Sequence, residues 1–364
     1  MTRPVFRAVA LFLAVRTAVL GTFLLAARQA GRQPLRILTG WDGGWYAGIA
    51  AHGYGHVTHH PDGRLLSDYA FFPLLPALEH GLGAATGLDY ADAGLVISVV
   101  ASVLTAVALH RIGVLVHGPR TGVLLVLLWA AMPVGAVQWM SYSESLFTAG
   151  AAWSLLCVLR RRWIAAGVLA LLAGTTRPTA TAGVAAVILT TALDLCRDPS
   201  RPGSRVLGTL LAPLGLLGYL AYVGWQRGSV TGYFEVARGW HNGFDGGLGF
   251  GRWIGAHLAG PTPWQGLVLI CAVLVLVALV WWSVRSGQPV VLVTYSIVLL
   301  VLAFATTGYF GSKPRYLLAA FPLLLPPAAW LAARRTTCQL GAATALVAVA
   351  SAYGAMWLLG PGPP

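Results

Sequence analysis

The first candidate for chemistry is a carboxylate within a segment rich in tryptophan and glycine, residues 39–54 (TGWDGGWYAGIAAHGY). Helical spacing places Trp41, Trp45 and Ile49 on one face, a pattern typical of a helix at a membrane interface. Asp42 could cap that helix, because a threonine three residues earlier gives the spacing of a capping box. The two glycines after Asp42 weaken a helix by about 1 kcal/mol each, but they would let a substrate approach the backbone closely. Spacing alone leaves both roles open for Asp42, helix cap and catalytic base.

A second carboxylate, Glu144, lies in SYSESLF at the predicted outer end of a membrane helix. An ionisable group at membrane depth is costly and is therefore a functional candidate. The alternative is an acid in the first turn of a helix, with Ser141 or Ser143 as the cap. The sequence leaves these two interpretations open.

Three bases lie at predicted outer helix ends, where an anionic substrate group could be bound. Arg177 lies at the tip of a short hairpin (TTRPT), and Lys313 and Arg315 begin another helix (GSKPRY). Each could instead extend toward lipid headgroups. Pro314 turns the chain between Lys313 and Arg315, so we expect only one of them to face a substrate.

The first predicted loop also contains clustered histidine and aspartate side chains, which could suggest a metal site. Their spacing fits no compact ligand signature, so a solvated polar loop is the better interpretation. We therefore expect no metal and no cofactor. The side chains concerned are His52, His56, His59, His60, Asp62 and Asp68.

The composition requires a lipid environment for these groups. The chain of 364 residues is 57% hydrophobic and only 10% charged, whereas a soluble domain has about a quarter charged residues. The net charge of +13 is interpreted as a topology signal, because arginine and lysine accumulate in cytoplasmic loops. We therefore expect the lipid bilayer, and no nucleic acid, as a partner.

Apolar runs predict an all-α polytopic membrane protein of about eleven transmembrane helices, forming one integral membrane domain over residues 1–364. Alternation of the basic loops places the N-terminus inside and the C-terminus outside. The runs are 6–27, 93–110, 121–140, 143–159, 163–176, 179–195, 206–225, 264–284, 289–308, 316–333 and 336–358. The loops expected inside contain Arg3, Arg7, Arg111, Arg120, Arg160 to Arg162, Arg197, Arg201, Arg205, Arg285, Arg334 and Arg335.

Acidic residues are concentrated on the opposite, outer side of this topology. Nine of the eleven Asp and Glu residues fall in predicted outer segments, mostly in two long loops, 28–92 and 226–262. The apolar segment 71–88 contains two prolines and Glu79, so we predict a juxtamembrane helix there rather than a span. Function is therefore expected on the outer face.

Five motifs, in order, resemble those of the PIG-V family of GPI mannosyltransferases. Each is weak alone, and together they extend from about residue 41 to 322. They are WDGGWYAGIAAHGY (41–54), YAFFPLLP (69–76), YSESLF (142–147), TRPT (176–179) and RYLLAAFP (315–322). Pro178 and Thr179 depart from the family's Ser-Asn pair.

The resemblance implies a GT-C fold, in which the first outer loop carries the catalytic aspartate. It implies a polyprenyl-phosphate donor, usually of mannose, and inversion at the sugar. A sugar phosphate is a good leaving group, so such a reaction needs a base for the acceptor hydroxyl and cations for the phosphate. The predicted assignment is Asp42 and Glu144 as catalytic residues, Arg315, Arg177 and Lys313 for the donor phosphate, and Trp41, Trp45, Tyr46, His52, Tyr54, Phe72 and Tyr142 for substrate binding.

The acceptor is expected to be a glycan or glycolipid, and the sequence leaves its identity, the sugar and the oligomeric state open. A transporter or flippase of lipid-linked glycans is the alternative. Such a protein would have charged residues along a path near mid-membrane and often shows internal repeats, whereas this chain has most of its charges at the faces and shows no repeat.

Overall fold

The computed structural model describes residues 3–200, 202–360 and 362, so Arg201 and the side chain of Arg3 lie outside the described part. Eighteen α-helices are described, joined by short 3₁₀ segments. They are α1 (Arg3–Gln29), α2 (Pro34–Thr39), α3 (Asp42–His52), α4 (Leu74–Thr86), α5 (Tyr90–His117), α6 (Pro119–Ala130), α7 (Ser143–Leu159), α8 (Trp163–Gly174), α9 (Thr181–Arg197), α10 (Gly203–Leu211), α11 (Leu214–Gln226), α12 (Gly232–Gly239), α13 (Leu248–Ala259), α14 (Pro263–Arg285), α15 (Val290–Phe304), α16 (Lys313–Tyr316), α17 (Leu325–Ala332) and α18 (Thr336–Leu358).

The chain is a multi-pass membrane protein. Six helical stretches of the described residues are long and apolar enough to cross a bilayer, and two sharply bent pairs raise the number to eight if each pair is one span. Three further apolar helices, α7, α8 and α15, are shorter. The predicted number of about eleven spans remains a prediction.

Two apolar runs that the sequence suggests are continuous are broken in the structure. The run 121–140 bends by 84° between α6 and a 3₁₀ segment that begins at Pro133. The run 316–333 bends by 69° at a second 3₁₀ segment, which contains Pro322. Proline lacks a backbone N–H and clashes with the preceding turn, so a helix cannot continue unbroken through it. Both breaks bring irregular backbone close to the candidate site.

Arg16 stabilises the first of these breaks from within the bundle. Its side chain is buried, and its Nη1 donates a 3.4 Å hydrogen bond to the carbonyl of Ala130, the last residue of α6. A helix C-terminus has carbonyls without intrahelical partners and carries partial negative charge, both of which a guanidinium satisfies. Arg16 thus faces the interior of the bundle.

The predicted outer segments meet at one end of the bundle, which we call the loop end. The first loop contacts the 175–179 turn through a hydrogen bond from Leu74 N to Thr175 O (3.0 Å). It contacts the second loop through a bond from Trp240 Nε1 to Ser67 O (3.0 Å). The predicted inner loops around Arg161 and Arg205 also approach each other, since both arginines pair with Asp194.

The first loop carries the short helices α2, α3 and α4, as predicted. Segment 71–88 forms α4 and is not among the stretches able to span. A two-stranded antiparallel sheet was not predicted. Its strands, β1 (Val57–His59) and β2 (Leu65–Ser67), pair with Val57 opposite Ser67.

Candidate active site

Asp42 is the first residue of α3, and it is held by an ion pair. Its Oδ2 lies 2.7 Å from Nη2 of Arg315. The expected capping box is absent, because the hydroxyl of Thr39 donates to Leu35 O (2.9 Å) and α3 has no side-chain cap. The interpretation of Asp42 as half of a capping box is therefore wrong, and its carboxylate instead faces a cation from a distant part of the chain.

Four charged side chains form a continuous series at the loop end, which we call the charge cluster: Asp42, Arg315, Glu144 and Arg177. Arg315 Nε lies 3.1 Å from Glu144 Oε1, and Arg177 Nη1 lies 2.6 Å from the same oxygen. Two acids and two bases therefore alternate and cancel in charge. The four residues singled out as two catalytic acids and two phosphate-binding arginines thus come together from four separate segments.

The two acids of the charge cluster differ in burial. The Glu144 side chain is 4% exposed and lies between two guanidinium groups, whereas the Asp42 side chain is 24% exposed. Buried charges are costly unless they are paired, and both guanidinium groups lie within ion-pair distance of Glu144. A substrate hydroxyl can therefore reach Asp42 more readily than Glu144.

Glu144 is not merely a capped acid at the start of α7. Ser143 Oγ accepts a 2.8 Å hydrogen bond from the hydroxyl of Tyr46, and Ser141 Oγ donates to Glu79. Glu144 does lie in the first turn of α7, as that alternative expected, but neither serine caps the helix, so the serine cap is wrong. Glu79 is itself fully buried, and burial raises its pKa to about 9, so it is protonated near neutral pH and is not a competing base.

Two tyrosines pack against the arginines of the cluster. The Tyr142 ring, expected to bind substrate, lies 5.3 Å from the Arg315 guanidinium. Tyr316, which the sequence analysis did not single out, lies under both arginines, 5.2 Å from that of Arg177 and 5.9 Å from that of Arg315. Aromatic faces attract guanidinium groups and restrict their orientation. The Arg-Tyr order at 315–316 was the signal that could have indicated it.

Lys313 lies outside the charge cluster. Its ammonium group donates to Thr306 O (2.8 Å), Thr306 Oγ1 (2.8 Å) and Thr307 O (3.1 Å). These three bonds match the three donors of an ammonium group. The structure therefore brings Arg315, and not Lys313, to the other predicted residues.

Tyr54 and Phe72, also predicted to bind substrate, contribute to an aromatic core beneath the first loop. The hydroxyl of Tyr54 donates to Phe71 O (2.8 Å), and its ring stacks on Tyr69. Phe72 is 1% exposed and packs 4.3 Å from Tyr219, centroid to centroid. Both positions therefore support the first loop, and neither lines the cavities described below.

Several buried polar atoms around the charge cluster have no hydrogen-bond partner within the described residues. They are the hydroxyls of Tyr142 and Thr179 and Nε of Arg177. A gap of about 10 Å³, room for about one water molecule, lies between Glu144, Arg177, Thr179 and Tyr316. Buried polar groups are normally satisfied, so this grouping is consistent with a site that binds a polar ligand.

A larger cavity of about 490 Å³, which we call the α3 cavity, runs along α3. Trp41, Trp45 and Ile49, predicted to share one face, all line it, together with His52. Tyr46 points to the other side of the helix, where it is buried against Ser143.

Within the described part of the chain, no three His, Cys, Asp or Glu side chains are grouped so that they could hold a metal ion. In the first loop, Asp62 instead forms ion pairs with His60 and Arg64 at 2.8 and 2.7 Å. Metal independence remains a prediction.

Solved structures of membrane glycosyltransferases share this fold. ArnT from Cupriavidus metallidurans, bound to undecaprenyl phosphate, matches with a TM-score of 0.58 and 16% identity over 92% of this chain and 62% of its own. The oligosaccharyltransferase AglB from Archaeoglobus fulgidus, in complex with an inhibitory peptide and a dolichol-phosphate, matches with a TM-score of 0.54 and 11% identity over 97% and 56%. The chain thus spans about three fifths of the length of these proteins.

At these identities the likeness establishes the fold alone, and it confirms the predicted GT-C architecture. No protein-family model and no curated protein matches the chain.

Proposed function

We propose that the chain is a membrane glycosyltransferase that transfers a sugar from a polyprenyl-phosphate donor to a hydroxyl of a glycan or glycolipid acceptor. The observation that supports this most is the charge cluster at the end of a GT-C-type bundle, in which the accessible carboxylate of Asp42 pairs with Arg315 and Glu144 joins Arg315 to Arg177. The motif resemblance favours mannose as the sugar. We place the reaction on the extracytoplasmic side, with inversion and without metal.

Arg315 and Arg177 are assigned to the donor phosphate. The polyprenyl tail must stay in the bilayer while the phosphate reaches the loop end, which fixes the phosphate at the membrane interface. The departing phosphate gains negative charge, so cations placed there stabilise the transition state more than the ground state. Guanidinium suits this role because it binds phosphate bidentately and stays protonated.

Asp42 is assigned as the general base. The acceptor oxygen attacks the anomeric carbon, its proton passes to the Asp42 carboxylate, and the bond from that carbon to the phosphate oxygen breaks with its electron pair. A single displacement of this kind inverts the configuration at the sugar. Glu144, deeper and shared by both arginines, holds their guanidinium groups in position.

The ion pairs suggest how donor binding prepares the base. Without a donor, Arg315 neutralises Asp42 across 2.7 Å. A phosphate that binds Arg315 competes for its N–H groups and weakens the hold on Asp42. The carboxylate then becomes available to accept a proton once the leaving group is in place.

The proposal is tested by incubating purified protein with polyprenyl-phosphate sugars and a hydroxyl acceptor, and measuring free polyprenyl phosphate by mass spectrometry. A glycosyltransferase releases polyprenyl phosphate and forms a glycoside. A flippase in vesicles would move labelled lipid-linked sugar across the bilayer without cleaving it, and that result would replace the proposal.

Orientation is tested by cysteine labelling in intact cells, in a variant lacking the four native cysteines. We expect His60→Cys at the loop end to react with an impermeant thiol reagent and Arg161→Cys at the opposite end to be protected. Labelling at position 161 alone would place the site on the cytoplasmic side.

A further inference from the structure

The α3 cavity has no part in the donor chemistry proposed above. It lies along the exposed stripe of α3, formed by Trp41, Gly44, Gly48 and His52, with Trp45 at its side. Its volume of about 490 Å³ is within the range of small-molecule sites, roughly 300–1,000 Å³. Trp41, the residue before Asp42 in the chain, lines one end of the cavity.

Two glycines keep this face of the helix open, and packing does not explain them. A Cβ added at Gly44 or Gly48 would meet no atom within 4 Å. In contrast, a Cβ at Gly43, on the buried side of the same helix, would lie 3.1 Å from Ser141. Glycine costs a helix about 1 kcal/mol relative to alanine, so Gly44 and Gly48 reduce helix stability without any compensating contact inside the protein. Gly44 and Gly48 therefore leave open space on this face of α3.

The aromatic side chains indicate the chemistry of that molecule. The Trp41 side chain is 51% exposed, and its backbone lies in the left-handed region (φ 53°), which a non-glycine residue rarely adopts. Strain of this kind is often found at ligand sites. Trp45 is fixed by stacking on Phe71 at 5.5 Å, with the two rings 10° apart. An exposed indole beside the two glycines could stack against a flat ligand ring that has an apolar face.

Polar groups at the far end of the cavity complement the tryptophans. The imidazoles of His52 and His56 both line the cavity and can donate or accept hydrogen bonds. A pyranose has an apolar C–H face for an indole and hydroxyls at its edge for imidazole. A serine or threonine side chain of a peptide acceptor has no such face.

We propose that the α3 cavity is the acceptor subsite and that it takes a carbohydrate ring, stacked on Trp41 over the surface of Gly44 and Gly48. This assignment rests on the proposed function, because it makes the ring the source of the hydroxyl that Asp42 deprotonates. It specifies where the saccharide ring of the proposed glycan or glycolipid acceptor binds.

The test measures saccharide binding without donor. Methyl glycosides of mannose, glucose and galactose are added to the purified protein, and saturation-transfer NMR reports which of them bind. We expect at least one to bind the wild type and Gly48→Leu to weaken that binding about tenfold or more, since even one misplaced methylene in a pocket costs about 10–200-fold. Trp41→Ala is expected to abolish saturation of the ring protons.

Gly81→Leu is the matched control. Gly81 is also an exposed helical glycine, in α4, and a Cβ there would meet no atom within 4 Å, but it lies outside the cavity. It should retain glycoside binding, and thermal unfolding of all variants checks that each is folded.

The outcomes separate this proposal from the proposed function. Equal glycoside binding by the wild type, Gly48→Leu and Trp41→Ala would overturn the subsite, as would binding of a Ser/Thr peptide but no glycoside. If the wild type binds glycosides in this cavity but cleaves no polyprenyl-phosphate sugar, the subsite stands as a saccharide site and only its link to the transfer reaction fails.

Discussion

Two clusters of ion pairs lie at opposite ends of the bundle, and both combine two acids with two arginines. At the loop end, the charge cluster joins Asp42, Glu144, Arg177 and Arg315. At the other end, in what we call the basic-loop cluster, Asp194 pairs with Arg161 and Arg205, and Arg205 also pairs with Asp198 at 3.0 Å. The charge composition is the same, but the setting differs.

The residues of the basic-loop cluster are partly exposed and mostly close in sequence, whereas those of the charge cluster are largely buried and come from distant parts of the chain. Arg161 and Asp198 are 60% and 49% exposed, and three of the four residues lie between positions 194 and 205. The charge cluster gathers side chains from positions 42 to 315, and three of its members are at most 12% exposed. Removing charges from water is costly even when they are paired, so we expect the charge cluster to contribute little net free energy to folding. The difference teaches that burial and convergence, not the number of ion pairs, distinguish the end to which we assign the function.

The largest expected effect comes from the accessible acid. Asp42→Asn is nearly isosteric but cannot accept a proton, so we predict a loss of turnover of about 10²–10⁴-fold. The measurement is the rate of glycoside formation with saturating donor. Asp194→Asn, which changes an acid of the basic-loop cluster in the same way, is the control and should retain turnover. Near wild-type turnover in Asp42→Asn would remove Asp42 from catalysis.

The next effect distinguishes two bases that are neighbours in sequence. Arg315→Ala should lower kcat/KM. The expected loss of transition-state stabilisation is about 2–4 kcal/mol, the scale for losing one oxyanion-type donor. Arg315→Lys should recover only part of it, because an ammonium group lacks the bidentate fork. Lys313→Ala should be mild in kinetics, since its ammonium group binds the 306–307 turn. Equal activity in the two alanine variants, both folded and membrane-inserted, would contradict the phosphate assignment.

At the opposite end we expect a small effect. Exposed ion pairs contribute about 0–1 kcal/mol, so Arg161→Ala should leave turnover unchanged and alter thermal stability only slightly. Turnover and thermal unfolding of the same preparation check both statements. A tenfold loss of turnover would mean that the two ends are coupled, and it would contradict the claim that only the charge cluster serves the reaction.

Chelation should have the smallest effect. The phosphate charge is assigned to Arg315 and Arg177, so turnover in EDTA should equal turnover in buffer. Turnover lost on chelation and restored by Mn²⁺ or Mg²⁺ would instead implicate the histidine and aspartate cluster at 52–68.

The sequence predicts the members of the charge cluster better than it predicts their contacts. Glu144, Arg177 and Arg315 each lie at the end of an apolar run, where a charge is conspicuous, Asp42 lies in the tryptophan- and glycine-rich motif of the first loop, and the motif resemblance adds their order. The sharing of Glu144 by two arginines depends on the bend near Pro322 and on the 139–144 segment, which hydrophobicity does not encode.

The choice between Lys313 and Arg315 shows the same limit. Both are predicted at one helix start, and only the short turn of α16 sends one to the 306–307 backbone and the other to the cluster. The β1–β2 hairpin escaped prediction because its strands are three residues long and rich in polar groups. The open face of α3 was also hidden, since Gly43, Gly44 and Gly48 look alike in sequence but have different surroundings.

The central claim is that a hydroxyl activated by Asp42 displaces a polyprenyl phosphate directly. The most direct test is the anomeric configuration of the product, determined by NMR after the wild-type protein has converted a polyprenyl-phosphate sugar of known configuration. We predict a glycoside of inverted configuration together with one equivalent of free polyprenyl phosphate. A product of retained configuration would require a covalent glycosyl–carboxylate intermediate and would contradict Asp42 as a base, and an uncleaved donor would contradict the transferase itself.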